Sequence, residues 1–157
     1  KTPSDNRTDY IKRLIGLPGD TIQFKAGKLI LNKKEITRTP TNNSYTIRCG
    51  KKSPEVKAFK EILPNGKEYV AVYNKFGTMQ NTDEYKVPDD HFFFLGDNRD
   101  CSKDSRYLLS VGYVSSENLV GKASIIFFSN DTISGSILKF WNWKKSLRVD
   151  RFFKILS

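Results

Sequence analysis

Histidine is nearly missing from this chain: His91 is the only one in 157 residues. Cysteine is scarce as well, with Cys49 and Cys101 far apart. One His and two Cys do not build a zinc site, and the cysteine spacing matches no metal motif. The two cysteines leave a disulfide open and do not fix the redox compartment. A Ser-His-Asp triad would have to use His91, which follows the Pro88-Asp89-Asp90 turn, and no Gly-x-Ser-x-Gly elbow exists. His91 therefore reads as a surface residue. Long apolar runs are absent too. The longest, Ala123 to Phe128, covers six positions with Ser124 inside it, against the roughly 18 needed to span a bilayer. There is no secretion signal. The chain opens on Lys1 and not on Met, which leaves room for an upstream segment.

Hydrophobic residues make up 38% and aromatics 13%, enough for a real core and too many for a disordered chain. The net charge of +10 fits an anionic partner. Alternating apolar and polar positions dominate the pattern. Tyr10 to Leu17 reads as a strand with Tyr10, Lys12 and Leu14 on one face. Pro18-Gly19 suits the centre of a type II turn. Thr21–Lys25, Lys28–Asn32 and Glu35–Thr37 follow as short strands, and Thr39–Ser44 reads as a polar linker. Between Tyr45 and Tyr85 the pattern stays β-like but more hydrophilic, with a turn at Pro64-Asn65-Gly66-Lys67. His91–Leu95 and Val120–Phe128 are the later strong strands. The fold is mostly β.

One stretch stands apart. Gly96-Asp97-Asn98-Arg99-Asp100-Cys101-Ser102-Lys103-Asp104-Ser105-Arg106 contains no aliphatic or aromatic side chain and follows the apolar run Phe92–Leu95. Composition alone favours a solvent-exposed turn; such a density of carboxylates, guanidinium groups and hydroxyls also suggests a loop folded on itself, and rigid polar loops at strand ends are where sites tend to sit. Asp100, Ser102 and Asp104 have the first spacings of a calcium loop, but Ser105 and Val111 stand where Gly and Glu belong, so no metal is expected. Arg99 and Arg106 would keep the neighbouring acids ionised, which favours ion-paired scaffolding over paired-carboxylate hydrolysis.

Lys12 is the other unusual residue. A lysine among apolar neighbours is normally expelled, because burying its charge is costly. One reading is an edge strand with Lys12 pointing outward. The other is a desolvated amine with a lowered pKa, able to act as a general base. Each unit of lowering takes about 1.4 kcal/mol of preference for the neutral form.

The tail from Lys139 to Ser157 interleaves Phe140, Trp141, Trp143, Phe152 and Phe153 with six Lys or Arg and one Asp. Trp beside Lys and Arg suits an anionic lipid headgroup layer. Base stacking on nucleic acid is the rival reading.

Read together, two segments resemble a known family. Asp9-Tyr10-Ile11-Lys12-Arg13-Leu14-Ile15-Gly16-Leu17-Pro18-Gly19-Asp20 is similar to the lysine-bearing box of bacterial type I signal peptidases (leader peptidases). Gly96 to Arg106 resembles that family's Gly-Asp-Asn-x-x-x-Ser-x-Asp-Ser-Arg box, and Asn118–Ala123 resembles the segment after it. The resemblance implies a coiled antiparallel β-sheet catalytic core over residues 1–38 and 86–157. Residues 39–85 would form an inserted β-hairpin sub-domain, and the basic, aromatic tail would close the chain. It implies a membrane-bound serine endopeptidase with a Ser-Lys dyad and no cofactor. Such an enzyme removes signal peptides from exported preproteins after small residues at the first and third positions before the cut. It would work on the outer, periplasmic face of the bacterial inner membrane. Lys12 matches the general base and Ser102 the hydroxyl that orients it. Asp104 and Arg106 match the supporting ion pair, and Asp97, Asn98 and Arg99 the scaffold. Tyr10 and Ile11 match the substrate groove, where the substrate would add as a strand. The expected partners are signal peptides and an anionic membrane surface through Lys139–Ser157, not nucleic acid.

The nucleophile is the departure. The family's Ser-x-Met-x-Pro segment has no match before Asp9, so the 157 residues are expected to be inactive by themselves. Cys101 puts a thiol beside the site with no role that the sequence assigns. Two alternatives remain: a self-cleaving repressor-type Ser-Lys peptidase, and a basic β domain that binds anionic membrane or nucleic acid without catalysis.

Overall fold

The computed structural model describes residues 1–42, 47, 49, 55–74, 80–130 and 146–156. They fall into two units, Lys1–Val120 and Gly121–Ser157. The first is built from short antiparallel strands. β1 (Arg13–Gly16) pairs with β9 (His91–Leu95), which pairs in turn with β10 (Val114–Ser115), so β1 is an edge among the described strands. β2 (Thr21–Lys25), β3 (Lys28–Leu31), β4 (Lys34–Glu35) and β8 (Tyr85–Lys86) form a second sheet in the order β4-β3-β2-β8. β5 (Thr37–Pro40), β6 (Val56–Ile62) and β7 (Glu68–Asn74) form a third.

Local chemistry explains the turns. Gly19 has φ 85° and Asp20 N–H donates to the Leu17 carbonyl at 3.0 Å, as a type II turn with Pro18 and Gly19 at its centre requires. Gly66, at φ 79°, closes the β6–β7 turn onto the Leu63 carbonyl. One apolar cluster joins the sheets: Ile15, Ile22, Phe24, Leu29, Leu31 and Ile36 pack with Leu63, Tyr69, Ala71 and Tyr73, and with Val87, Phe93 and Leu95. The strand alternation puts these side chains inward, and their burial is the main source of stability.

Three expected boundaries need correction. The strand expected over Tyr10–Leu17 has a ladder only from Arg13, because no described strand pairs with residues 10–12. A register shift between Leu14 and Gly16 then turns Ile15 inward and leaves Leu14 exposed. The linker expected at Thr39–Ser44 begins instead as strand: Thr39 faces Lys60 and Pro40 faces Phe59, on an edge that tolerates proline. Residues 43–46 lie outside the described ones. The strand expected over Val120–Phe128 shrinks to β11 (Ile125–Ile126), since its partner β12 (Lys154–Ile155) offers a two-residue ladder.

The second unit also holds a 3-10 turn at Val149–Arg151 and a ring contact between Phe128 and Phe152, with centroids 5.4 Å apart. Of the tail singled out above, residues 139–145 and 157 lie outside the described residues. No helix among the described residues is long and apolar enough to cross a membrane.

Candidate active site

The loop after β9 is fastened before any side chain is considered. Val72 N–H donates to the Asp97 carbonyl at 2.8 Å and Arg99 N–H to the Val72 carbonyl at 2.9 Å, which makes a parallel bridge between Asn98 and β7. The Asp100 carboxylate accepts Asn74 N–H at 2.6 Å. Cys101 is disulfide-bonded to Cys49, with Cα atoms 5.3 Å apart. Ser105 then binds back along β9: its Oγ accepts Phe94 N–H at 2.9 Å and its N–H reaches the Phe94 carbonyl at 3.1 Å.

Two buried ion pairs hold the loop's shape. Asp104 is 0% exposed and takes both Nε and Nη2 of Arg106, at 2.8 and 2.9 Å, while its Oδ2 also accepts Gly96 N–H at 2.9 Å. Arg106 also donates to the Arg99 carbonyl. Arg99, 1% exposed, forks onto Glu61 at 3.1 and 2.6 Å and donates to the hydroxyls of Tyr69 and Tyr73. Burial opposes the Arg99 charge, and Glu61, Tyr73 and Tyr69 together more than restore it, so its pKa is raised. Bidentate, charge-assisted bonds of this kind admit few alternative geometries. A third pair is more open: Arg13 forks onto Asp97 at 2.8 and 3.0 Å and stacks on the Tyr69 ring.

Lys12 meets this loop at Gly96. A Cβ at Gly96 would collide with Ser102 Oγ and would stand 3.6 Å from Lys12 Nζ. The missing side chain therefore makes the space in which amine and hydroxyl approach each other. Ser102 Oγ is buried and has no hydrogen-bond partner among the described residues. Lys12 is half-buried, with its Nζ 5.3 Å from the centre of the Tyr10 ring. Burial pushes the amine below its ordinary pKa; Asp104 opposes this, Arg106 adds to it and Asp97 opposes it. An amine that sheds its proton more easily than usual, beside an unpaired hydroxyl, is suited to taking a proton from a third group.

The structure thus brings Lys12, Ser102, Asp104 and Arg106 together, with Arg99 one layer behind them. Asp97 is at the surface on Arg13. Asn98 contributes its backbone, and its buried Oδ1 has no partner among the described residues. Tyr10 and Ile11 precede β1 and are 43% and 82% exposed. The placement of Lys12 differs from the expected mid-strand one in that it stands ahead of the ladder, which begins at Arg13. Cys101 is no free thiol. Glu61, Tyr69 and Tyr73 went unnoticed in the sequence. Their signal was faint: a Tyr-x-x-x-Tyr on the inward face of a strand, whose hydroxyls need polar company once buried.

The family model described as signal peptidase, peptidase S26, matches residues 1–128. The signal peptidase I of Rickettsia akari (strain Hartford) is 40% identical over 174 residues, covering 99% of this chain and 62% of the relative. That of Rickettsia prowazekii (strain Madrid E) is 41% identical over 171 residues, with the same coverage. The chain thus spans about three fifths of the length of these curated relatives. A crystal structure of a signal peptidase I from Enterococcus faecalis V583 aligns with a TM-score of 0.42 and 24% identity, covering 78% of this chain and 90% of that one.

Proposed function

This chain belongs to the signal peptidase family, peptidase S26, and from that premise we propose that it carries the base half of a Ser-Lys dyad in an endopeptidase that removes signal peptides from exported preproteins. The single observation behind the reading is that a half-buried amine of lowered pKa and the buried, unpaired Ser102 hydroxyl both lie beside the side-chain-free Gly96. In this scheme neutral Lys12 accepts the proton of a nucleophilic serine hydroxyl as it attacks the scissile carbonyl. It returns that proton to the leaving amine, and then activates the water that hydrolyses the acyl-enzyme. Ser102 orients the amine, and the Asp104–Arg106 pair holds Ser102's loop. The open edge of β1, continued by Tyr10 and Ile11, would take the extended substrate as an added strand.

The nucleophile would come from a Ser-x-Met-x-Pro box that these 157 residues do not contain. The cut would fall after small residues at the first and third positions. The enzyme would sit on the bacterial inner membrane with this part on the outer face, and Lys139–Ser157 would meet anionic lipid. Residues 39–85 are read as an insertion into the core formed by the remainder.

The test uses a chain extended upstream to include that box. Lys12→Ala should lower kcat/KM on a preprotein substrate by about 100- to 10,000-fold while far-UV circular dichroism stays unchanged. Lys12→Arg should not restore activity, because guanidinium keeps its proton. Normal turnover by Lys12→Ala would remove the assignment. The 157 residues alone should leave the preprotein uncut; cleavage by them that disappears on Ser102→Ala would replace this scheme with one in which Ser102 is the nucleophile.

A further inference from the structure

Glu61 lies on β6 directly opposite Tyr69 and is 1% exposed. A carboxylate so deep in an apolar cluster must be compensated in charge and in hydrogen bonds. It is: Arg99 forks onto both oxygens, and the Tyr69 and Tyr73 hydroxyls each donate to one, Tyr69 at 2.7 Å. Burial raises both tyrosine pKa values, so these hydroxyls keep their protons. A buried ion pair adds little stability over apolar packing of equal volume. What four groups closing on one another do provide is a single orientation for Arg99.

Arg99 is also where this cluster joins the site. Its carbonyl accepts from Arg106, and Arg106 is clamped on Asp104. Asp104 holds Gly96 N–H at 2.9 Å, and Gly96 leaves the space shared by Ser102 Oγ and Lys12 Nζ. The charged groups acting on Lys12 itself are Asp104, Arg106 and Asp97, with the Tyr10 ring against its ammonium; Glu61 acts on it only through the loop.

From these links we propose that Glu61 is a positioning residue for the Lys12–Ser102 pair, acting through Arg99 with Tyr69 and Tyr73 as its supports. The proposal rests on the reading of Lys12 as the base, and it assigns to β6 and β7 a part in setting that base.

The test uses the 157-residue chain with its disulfide intact and its lysines dimethylated with 13C-formaldehyde. Each amine is then titrated by NMR, with the Lys12 signal assigned by its loss in Lys12→Arg. Glu61→Gln should raise the Lys12 midpoint by about half a unit or more, and Tyr73→Phe should move it less but in the same direction. Lys60, ion-paired with Glu68 across the same two strands, should not move. Glu61→Asp, which keeps the charge, should return part of the shift. A folded Glu61→Gln with the Lys12 midpoint within about 0.1 unit of the parent overturns the proposal. If Glu61→Gln does not fold, Tyr73→Phe decides by the same criterion. If Lys12 of the parent titrates with the exposed lysines, the base reading falls, and exchange of the Gly96 amide decides the positioning claim separately. About tenfold faster exchange in the variants supports it, and unchanged exchange overturns it.

Discussion

Replacing Asp104 with Ala tests the inner frame of the site most directly. The carboxylate accepts from Arg106 Nε at 2.8 Å, from Arg106 Nη2 at 2.9 Å, from Gly96 N–H at 2.9 Å and from Arg106 N–H at 3.3 Å. Arg106 is 2% exposed in its side chain, so water does not reach it readily once the carboxylate is gone. Among the described residues its guanidinium would keep only the Arg99 carbonyl as a hydrogen-bond partner and the face of Phe24, 5.4 Å away, as company. Removing one partner of a buried pair costs about 3–5 kcal/mol, because an uncompensated charge is left behind. The stranded Gly96 N–H belongs to the same loss and is not a separate addition, since the groups share one partner. For an m-value of about 2 kcal/mol/M, that cost moves the urea midpoint down by roughly 2 M, a large part of the stability of an ordinary domain. Urea unfolding followed by circular dichroism measures it. Asp104→Asn keeps the volume and an acceptor for Gly96 while losing the charge, so its cost should lie between parent and Ala. A loss below about 1 kcal/mol for Asp104→Ala would mean that Arg106 finds water or another anion, and would refute the claim that this pair shapes the loop.

Two further outcomes follow from the same geometry. Because the folded chain lowers the Lys12 pKa below the 10.5 of a free lysine, the unfolded chain binds more protons between those two values, and stability rises with pH across that window. Lys12→Met should flatten this slope, so that its stability gain over the parent at pH 7 shrinks as pH approaches 10.5; denaturant titrations at several pH values would refute this if the gap stayed constant. Reduction of the Cys49–Cys101 bridge, which closes a separation of 52 residues, should cost about 4 kcal/mol by the chain-entropy relation. It should also expose the Gly96–Arg106 amides to faster exchange. A midpoint unchanged by reductant would show that the loop owes its position to the ion pairs alone.

The groups of this site are close in space and far apart in the chain, and that division separates what is legible in residue order from what is not. The Gly96–Arg106 run left two readings open, a solvated turn and a loop folded on itself, because its carboxylates, guanidinium groups and hydroxyls can be satisfied by water or by one another. Pro18-Gly19 announced its turn through the backbone angles those residues prefer. Such signals depend on a few consecutive residues. Strand ends were less legible: the Arg13–Gly16 ladder begins where β9 offers a partner, and Ile125–Ile126 is short because Lys154–Ile155 is short. The apolar neighbours of Lys12 along the chain leave an outward and a buried amine both open; its half-burial is decided by the Ser102 loop, about ninety positions downstream, which lies beside it at Gly96. Glu61 had at most the faint Tyr-x-x-x-Tyr of the neighbouring strand to mark it among the exposed-looking charges of β6. Only the pairing of β6 with β7, and the return of Arg99 to that sheet, turned an ordinary glutamate into a buried counter-ion. Alternation, turn chemistry and the two boxes were written in residue order; pKa direction, ion-pair partners and the Cys49–Cys101 bond were decided by which segments the core brought side by side, because solvation and Coulomb energy depend on distance in space and not along the chain.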